Sequence, residues 1–114
     1  MPYVNLRDVP TLAQQHTCLV VAVTASWCGY CKRLKKVYPL AAAEAPDDVL
    51  FVYAEDQKDD AMAPYEVAGF PHIMTWIQGR QRGKGPELSD GVYKGGKSKK
   101  DLVDLALLIR KQAS

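Results

Sequence analysis

The chain predicts an α/β fold, a central mixed β-sheet flanked by helices in the order β-α-β-α-β-α-β-β-α, on the strength of three observations. Cys18-Leu19-Val20-Val21-Ala22-Val23-Thr24-Ala25 is an unbroken apolar and β-branched run, the pattern of a strand covered on both faces. Cys31, Leu34, Tyr38 and Ala41 then recur at helical spacing, with Lys32, Arg33, Lys35 and Lys36 on the flanks. Two more strand-like runs, Val49 to Tyr53 and Ile73 to Ile77, follow in alternation with helical stretches.

The elements follow in order. Tyr3 to Leu6 reads as a short first strand. A helix is expected to open at Asp8-Val9-Pro10, with Asp8 as cap and Pro10 tolerated in the first turn. After the Cys18 strand, a helix starts near Cys28 and stops before Pro46-Asp47-Asp48; Pro39 inside it removes the hydrogen bond to Lys35 and is expected to bend or end it. Asp59-Asp60 starts a short helix through Met62 to Glu66, and Pro71, with no N–H for a ladder, fits the start of the next strand. A short last strand falls near Val92-Tyr93, and Leu102, Leu105, Ala106 and Ile109 mark the inner face of a final helix. Gly79 to Gly91, holding Arg80, Arg82 and Lys84 among glycines, reads as an irregular, mobile surface insertion or a partner-docking loop.

Composition sets the outer bounds. With 114 residues, 47% hydrophobic and 25% charged, the chain suffices for one modest core, hence a single domain over residues 1–114 and an expected monomer. A net charge of +2 gives no reason to expect a nucleic-acid partner. No apolar run is long enough for a membrane span. Met1 to Asp8 lacks the basic-then-apolar layout of a signal peptide, and Arg110 to Ser114 carries no endoplasmic-reticulum retention signal. A cytoplasmic setting is therefore expected, although a mature secretory chain would read the same.

The chemistry concentrates in Ser26-Trp27-Cys28-Gly29-Tyr30-Cys31, where two thiols sit three residues apart at a strand-to-helix junction. A helix N-terminus favours an anion, and Lys32 and Arg33 add to that, so Cys28 is expected to form a thiolate readily and act as a nucleophile. Cys31, one turn later and facing inward, can attack a mixed disulfide on Cys28 and release the partner. The competing readings are half a zinc site and two structural cysteines. Zinc needs four ligands, and the other candidates, Cys18, His16 and His72, show no second paired spacing. Cys18 reads as an inert core or rim thiol, His16 as a polar residue at a helix end. His72, beside Pro71, either reaches the thiols or points away across the strand.

Taken in order, Ala25 to Lys32, Asp56-Gln57 with Tyr65, Gly69-Phe70-Pro71, Gly79, and Gly95 ahead of the last helix resemble the thioredoxin superfamily. The resemblance implies the thioredoxin fold, with a cis Pro71 facing the cysteine pair and Phe70 offering its backbone to an extended substrate segment. Trp27, Gly29 and Tyr30 are implied to surround the nucleophile, with Trp27 either on the surface or in the core. Gly95-Gly96 would allow close approach beside the site. The implied activity is thiol–disulfide oxidoreduction, of thioredoxin or protein disulfide-isomerase type. It would act on disulfide-containing or dithiol proteins, be recycled by a reductase or oxidase, and need no cofactor. The dipeptide Gly29-Tyr30 resembles that of periplasmic isomerases and some glutaredoxins, so the working direction stays open. Glutathione or iron–sulfur binding of the glutaredoxin kind is one alternative, opposed by Trp27 and by Gly69-Phe70-Pro71 where Thr-Val-Pro would stand. A thioredoxin-fold adaptor without activity is another, opposed by the intact pair.

Three departures from the family pattern bear on mechanism. Where relatives carry a buried acid six residues before the nucleophile and a lysine partner, this chain has Ala22 and Val52. That acid helps deprotonate the resolving thiol, so water or another group must serve; Glu55 and Asp56 are candidates, with surface solvation as their commoner fate. A proline usual in the motif helix is replaced by Lys36, with Pro39 three residues later, and the Gly79 to Gly91 hairpin is longer than is usual.

Overall fold

The computed structural model describes residues 3–113. The long apolar run becomes β1 (Cys18–Thr24), buried at every position. It pairs in parallel with β2 (Val49–Glu55) and antiparallel with β3 (His72–Ile77), which makes the sheet mixed. Three two-residue strands complete it: β4 (Arg80–Gln81), β5 (Leu88–Ser89) and β6 (Val92–Tyr93). The order is β2-β1-β3-β6-β5, with β4 folding back on β3.

Alternation along the strands divides the apolar residues between two cores. Val20, Ala22, Ile73 and Ile77 face α2 (Gly29–Glu44) and α4 (Lys99–Gln112), meeting Leu34, Tyr38, Leu102, Leu105 and Ile109. Leu19, Val21, Val23, Met74 and Trp76 face the other way, against Leu6, α1 (Val9–Gln14) and Ala61 of α3 (Asp59–Met62). At the heart of the first core the fully buried Tyr38 hydroxyl donates toward Val20 O (3.1 Å) and Val52 O (3.0 Å), bridging adjacent strands. A capping box closes the start of α4: Ser98 Oγ accepts from Asp101 N at 3.1 Å, and Asp101 Oδ2 accepts from Ser98 N at 3.3 Å.

Three local expectations are corrected and a fourth is narrowed. The first strand is reduced to an isolated bridge, Tyr3 to Tyr53, because Asn5 Oδ1 accepts from Arg7 N (3.0 Å) and turns the chain into a 3-10 helix over Leu6–Asp8. Asn5, not Asp8, is thus the residue whose side chain caps this segment. Of the two outcomes expected at Pro39, a bend or an end, the end is ruled out: α2 runs on to Glu44, and packing of Leu34, Tyr38 and Ala41 on the sheet outweighs one missing hydrogen bond.

The Gly79 to Gly91 segment, expected to be irregular, is tied into the sheet, β4 pairing with β3 and β5 with β6. Gly85 and Leu88 bond each other's backbone, Leu88 is buried, and Gly91 O accepts from Thr75 N at 2.8 Å. Gln112 of α4 clasps Lys84 from both sides, accepting from its N–H at 3.1 Å and donating to its carbonyl at 2.5 Å. Gly91, at φ +77°, fits here because a Cβ would stand 2.8 Å from Arg82 N and 2.9 Å from Thr75 O.

Candidate active site

β1 ends at Thr24, and a tight turn delivers the chain to α2. Cys28 N donates to Ala25 O (3.1 Å), and Asp56 Oδ1 accepts from Ser26 N (2.8 Å). Asp56 stands at φ 51°, just past the end of β2, which aims its carboxylate back at the turn. The Ser26 amide holds that carboxyl below its ordinary range. Sequence reasoning missed this buttress, whose signal was the Asp-Gln pair directly after a strand.

Cys28 is the N-cap of α2, and its Sγ accepts from Cys31 N at 3.3 Å. The thiol is held below its ordinary value, first by the hydrogen bond that the Cys31 thiol donates, then by the Cys31 and Tyr30 amides, while burial opposes. Lys32 and Arg33, expected to assist, are both exposed; Arg33 lies over the Tyr30 ring at 5.5 Å. Cys31 is fully buried, and burial together with its partner thiol pushes it up to about 11. One helical turn therefore sets the two thiols apart, Cys28 shifted towards the thiolate and Cys31 towards the protonated thiol. Both are unbridged.

Ala25 and Phe70 pack against the pair. The Phe70–Pro71 peptide bond is cis, and Phe70 O lies 3.6 Å from Cys28 Sγ, accepting from it when the thiol is protonated. Trp27 is 75% exposed, which settles its place on the surface, and meets Phe70 edge-to-face at 5.6 Å between ring centroids. The two rings border a groove of about 430 Å³ floored by Ala25 and continued by Met62 and Val67. Tyr30 is 70% exposed on the other side of Cys28. Gly29 has open space before it, whereas Gly95 is enclosed by Tyr93 and Glu87, so its missing side chain serves the packing of its own hairpin.

The remaining sequence candidates fall outside this constellation. Cys18 is buried at the far end of β1, where burial pushes its thiol up to about 11. His72 pairs in register with Val23, and its Nε2 is buried without a hydrogen-bond partner; burial, then Lys94, keeps its imidazole below the ordinary value. It lines a separate cleft of about 560 Å³ with Tyr65 and Leu88. Ala22 and Val52 are fully buried and carry no charge. Glu55, one candidate to replace the missing acid, instead pairs with Lys35. The sequence places that lysine on the flank of α2, without a partner of its own.

Comparison with known proteins bears on the same residues. The chain is 38% identical over 87 residues to a protein disulfide-isomerase of Hordeum vulgare, covering 68% of this chain and 17% of that one. It is 36% identical over 90 residues to protein disulfide-isomerase erp38 of Neurospora crassa, covering 75% of this chain and 22% of that one. The chain thus spans only about a fifth of the length of these curated relatives. Among solved structures, mitochondrial thioredoxin 3 of Saccharomyces cerevisiae in its oxidized form superposes with a TM-score of 0.73 at 25% identity, over 94% of this chain and 93% of that one. The Thioredoxin family model matches residues 9–106. A match that runs from α1 into α4 takes in every element that positions the cysteine pair, and the chain belongs to the thioredoxin family.

Proposed function

We propose that the chain is a thiol–disulfide oxidoreductase acting on protein disulfides. The observation that carries the proposal is the asymmetry of the two thiols: Cys28 capping a helix with its sulfur hydrogen-bonded by Cys31, and Cys31 buried one turn behind it. In the reducing direction the Cys28 thiolate attacks one sulfur of a substrate disulfide. A Cys28–substrate disulfide forms, and the other substrate sulfur leaves with the electron pair and takes a proton from water. Cys31 then loses its proton to solvent and attacks Cys28 Sγ, forming the Cys28–Cys31 disulfide and expelling the second substrate thiolate. Run backwards, the same steps insert a disulfide into a dithiol protein.

The groove between Trp27 and Phe70 is where an extended substrate segment would lie, pairing with the Phe70 backbone beside Pro71. Tyr30 and Gly29, which follow Cys28 at the start of α2, would flank the attacking thiol. The disulfide-isomerase names of the relatives support a protein substrate, and a separate reductase or oxidase would recycle the pair.

The test is a pair of variants. Cys28→Ser abolishes turnover of a protein disulfide, whereas Cys31→Ser accumulates a covalent complex through Cys28 that a reductant dissolves. Full activity of Cys28→Ser would overturn the mechanism. The reduction potential against a glutathione buffer assigns the direction: about −270 mV marks a reductant, about −180 mV or above an isomerase or oxidant.

A further inference from the structure

Cys31 has to lose a proton in a site whose usual buried acid is absent. Its position on the sheet is held by Ala22, and both Ala22 and Val52 are sealed from solvent. The structure does contain a charge pair close by, assembled from different residues. Lys35 lies one turn after Cys31 on α2 and forms an ion pair with Glu55 Oε1 at the end of β2. The two side chains are only 29% and 21% exposed. Such a pair is screened by solvent far less than the exposed lysines around it.

The lysine is fixed from several directions. Glu55 stands in register with Thr24, whose Oγ1 donates to Glu55 Oε1 at 3.4 Å, and the residue after Thr24 is the Ala25 that packs on both thiols. The Tyr3 ring lies 5.6 Å beneath Lys35 Nζ. Hydrogen bonding to Glu55 raises the lysine above its ordinary value, which strengthens its hold on the proton.

We propose that Lys35, oriented by Glu55, is the fixed positive charge that favours the Cys31 thiolate during release of the mixed disulfide. The proposal rests on the exchange mechanism above and supplies its second step. Lys35 is a positioning charge and takes no proton; the Cys31 proton passes to solvent as before.

The charges acting on Cys31 are few. From α2 itself come Cys28, whose anion raises it, and Lys35, whose field lowers it; the Ala25 backbone also lowers it. Of the nearby carboxylates, Glu55 at the end of β2 pairs with the lysine, and Asp56, just after it, is hydrogen-bonded to the Ser26 amide, which holds it below its ordinary range with a smaller contribution from Lys35. Glu55 therefore contributes by holding the cation in place.

The experiment is a titration of Cys31 by 13Cβ chemical shift in the reduced protein, which needs no substrate. Lys35→Met should move the Cys31 midpoint upward by about half a pH unit, a roughly threefold loss of thiolate at neutral pH. Lys35→Arg should restore it. The charge swap Lys35→Glu/Glu55→Lys separates electrostatics from architecture, since it preserves an ion pair and the fold while placing a carboxylate beside Cys31. It should raise the midpoint beyond that of Lys35→Met. An unchanged midpoint in Lys35→Met, or a wild-type midpoint in the swap, overturns the proposal. Failure of the exchange mechanism would show elsewhere, as a wild-type protein that turns over no disulfide while its Cys31 titration still responds to Lys35.

Discussion

The backbone N–H of Cys31 points at Cys28 Sγ across 3.3 Å, so the residue proposed to complete exchange also stabilises the anion proposed to begin it. The coupling makes Cys31 depend on the state of Cys28. Two of the causes that push Cys31 up to about 11, its hydrogen bond to the Cys28 sulfur and the charge there, vanish once that sulfur is bonded to a substrate. Only burial then opposes ionisation. Cys28→Ser, which keeps a helix cap, should therefore lower the Cys31 midpoint clearly below about 11 by NMR titration. A midpoint unmoved by the substitution would mean that burial alone sets it.

Cys18 gives the fold an alkaline weakness. Its thiol is pushed up to about 11 by burial, above its ordinary value of 9.0, so the native state binds this proton more tightly. The stability it contributes is full below about pH 9 and is lost as pH rises towards 11, at most about 3 kcal/mol. Cys18→Ala should flatten part of the decline in melting temperature between pH 9 and pH 11. A decline of unchanged steepness would place the weakness in other buried groups.

Tyr38→Phe keeps the ring in the α2 core but strips the hydroxyl that reaches Val20 O and Val52 O. A loss of about 1–2 kcal/mol is expected by urea denaturation, with the thiol titrations unaltered.

Gly91→Ala sets a methyl against backbone atoms at 2.8 and 2.9 Å and imposes an unfavourable φ. It should cost about 1–3 kcal/mol and weaken protection of the Thr75 amide from hydrogen exchange, because Thr75 N bonds to Gly91 O. Wild-type protection at Thr75 would show that the hairpin shifts to accept the side chain.

Trp27→Ala removes a ring whose surface is mostly in water, so stability should change by no more than about 0.5 kcal/mol. Reaction with a protein disulfide should slow about tenfold, while a small aliphatic disulfide, too short to span the groove, reacts as before. Equal slowing of both would mean that the ring acts on Cys28 itself.

What could be read from the chain was whatever neighbours in sequence decide. The Cys18 to Ala25 run specified β1, the Cys-x-x-Cys spacing put Cys28 at a helix start, and the periodicity of Leu102 to Ile109 specified α4. What escaped depended on distant partners. Asn5 prevailed over Asp8 because β2 lay alongside Tyr3 and Val4, and Pro39 was absorbed because α2 had a sheet to lie on. The Gly79 to Gly91 segment needed the end of α4 to hold Lys84. Lys35 and Glu55 met only through the placing of α2 on β2, a relation that no local pattern encodes.

The two tryptophans occupy opposite environments. Trp76 is 4% exposed in the core facing α1 and packs against Tyr65, while Trp27 stands in solvent beside the thiols. The protein thus carries two fluorophores with separate duties. An exposed indole is expected to emit further to the red than a buried one, so Trp27 should report on the neighbourhood of the thiols and Trp76 on loss of the fold. Events at the thiols and unfolding can be followed together in one unlabelled sample.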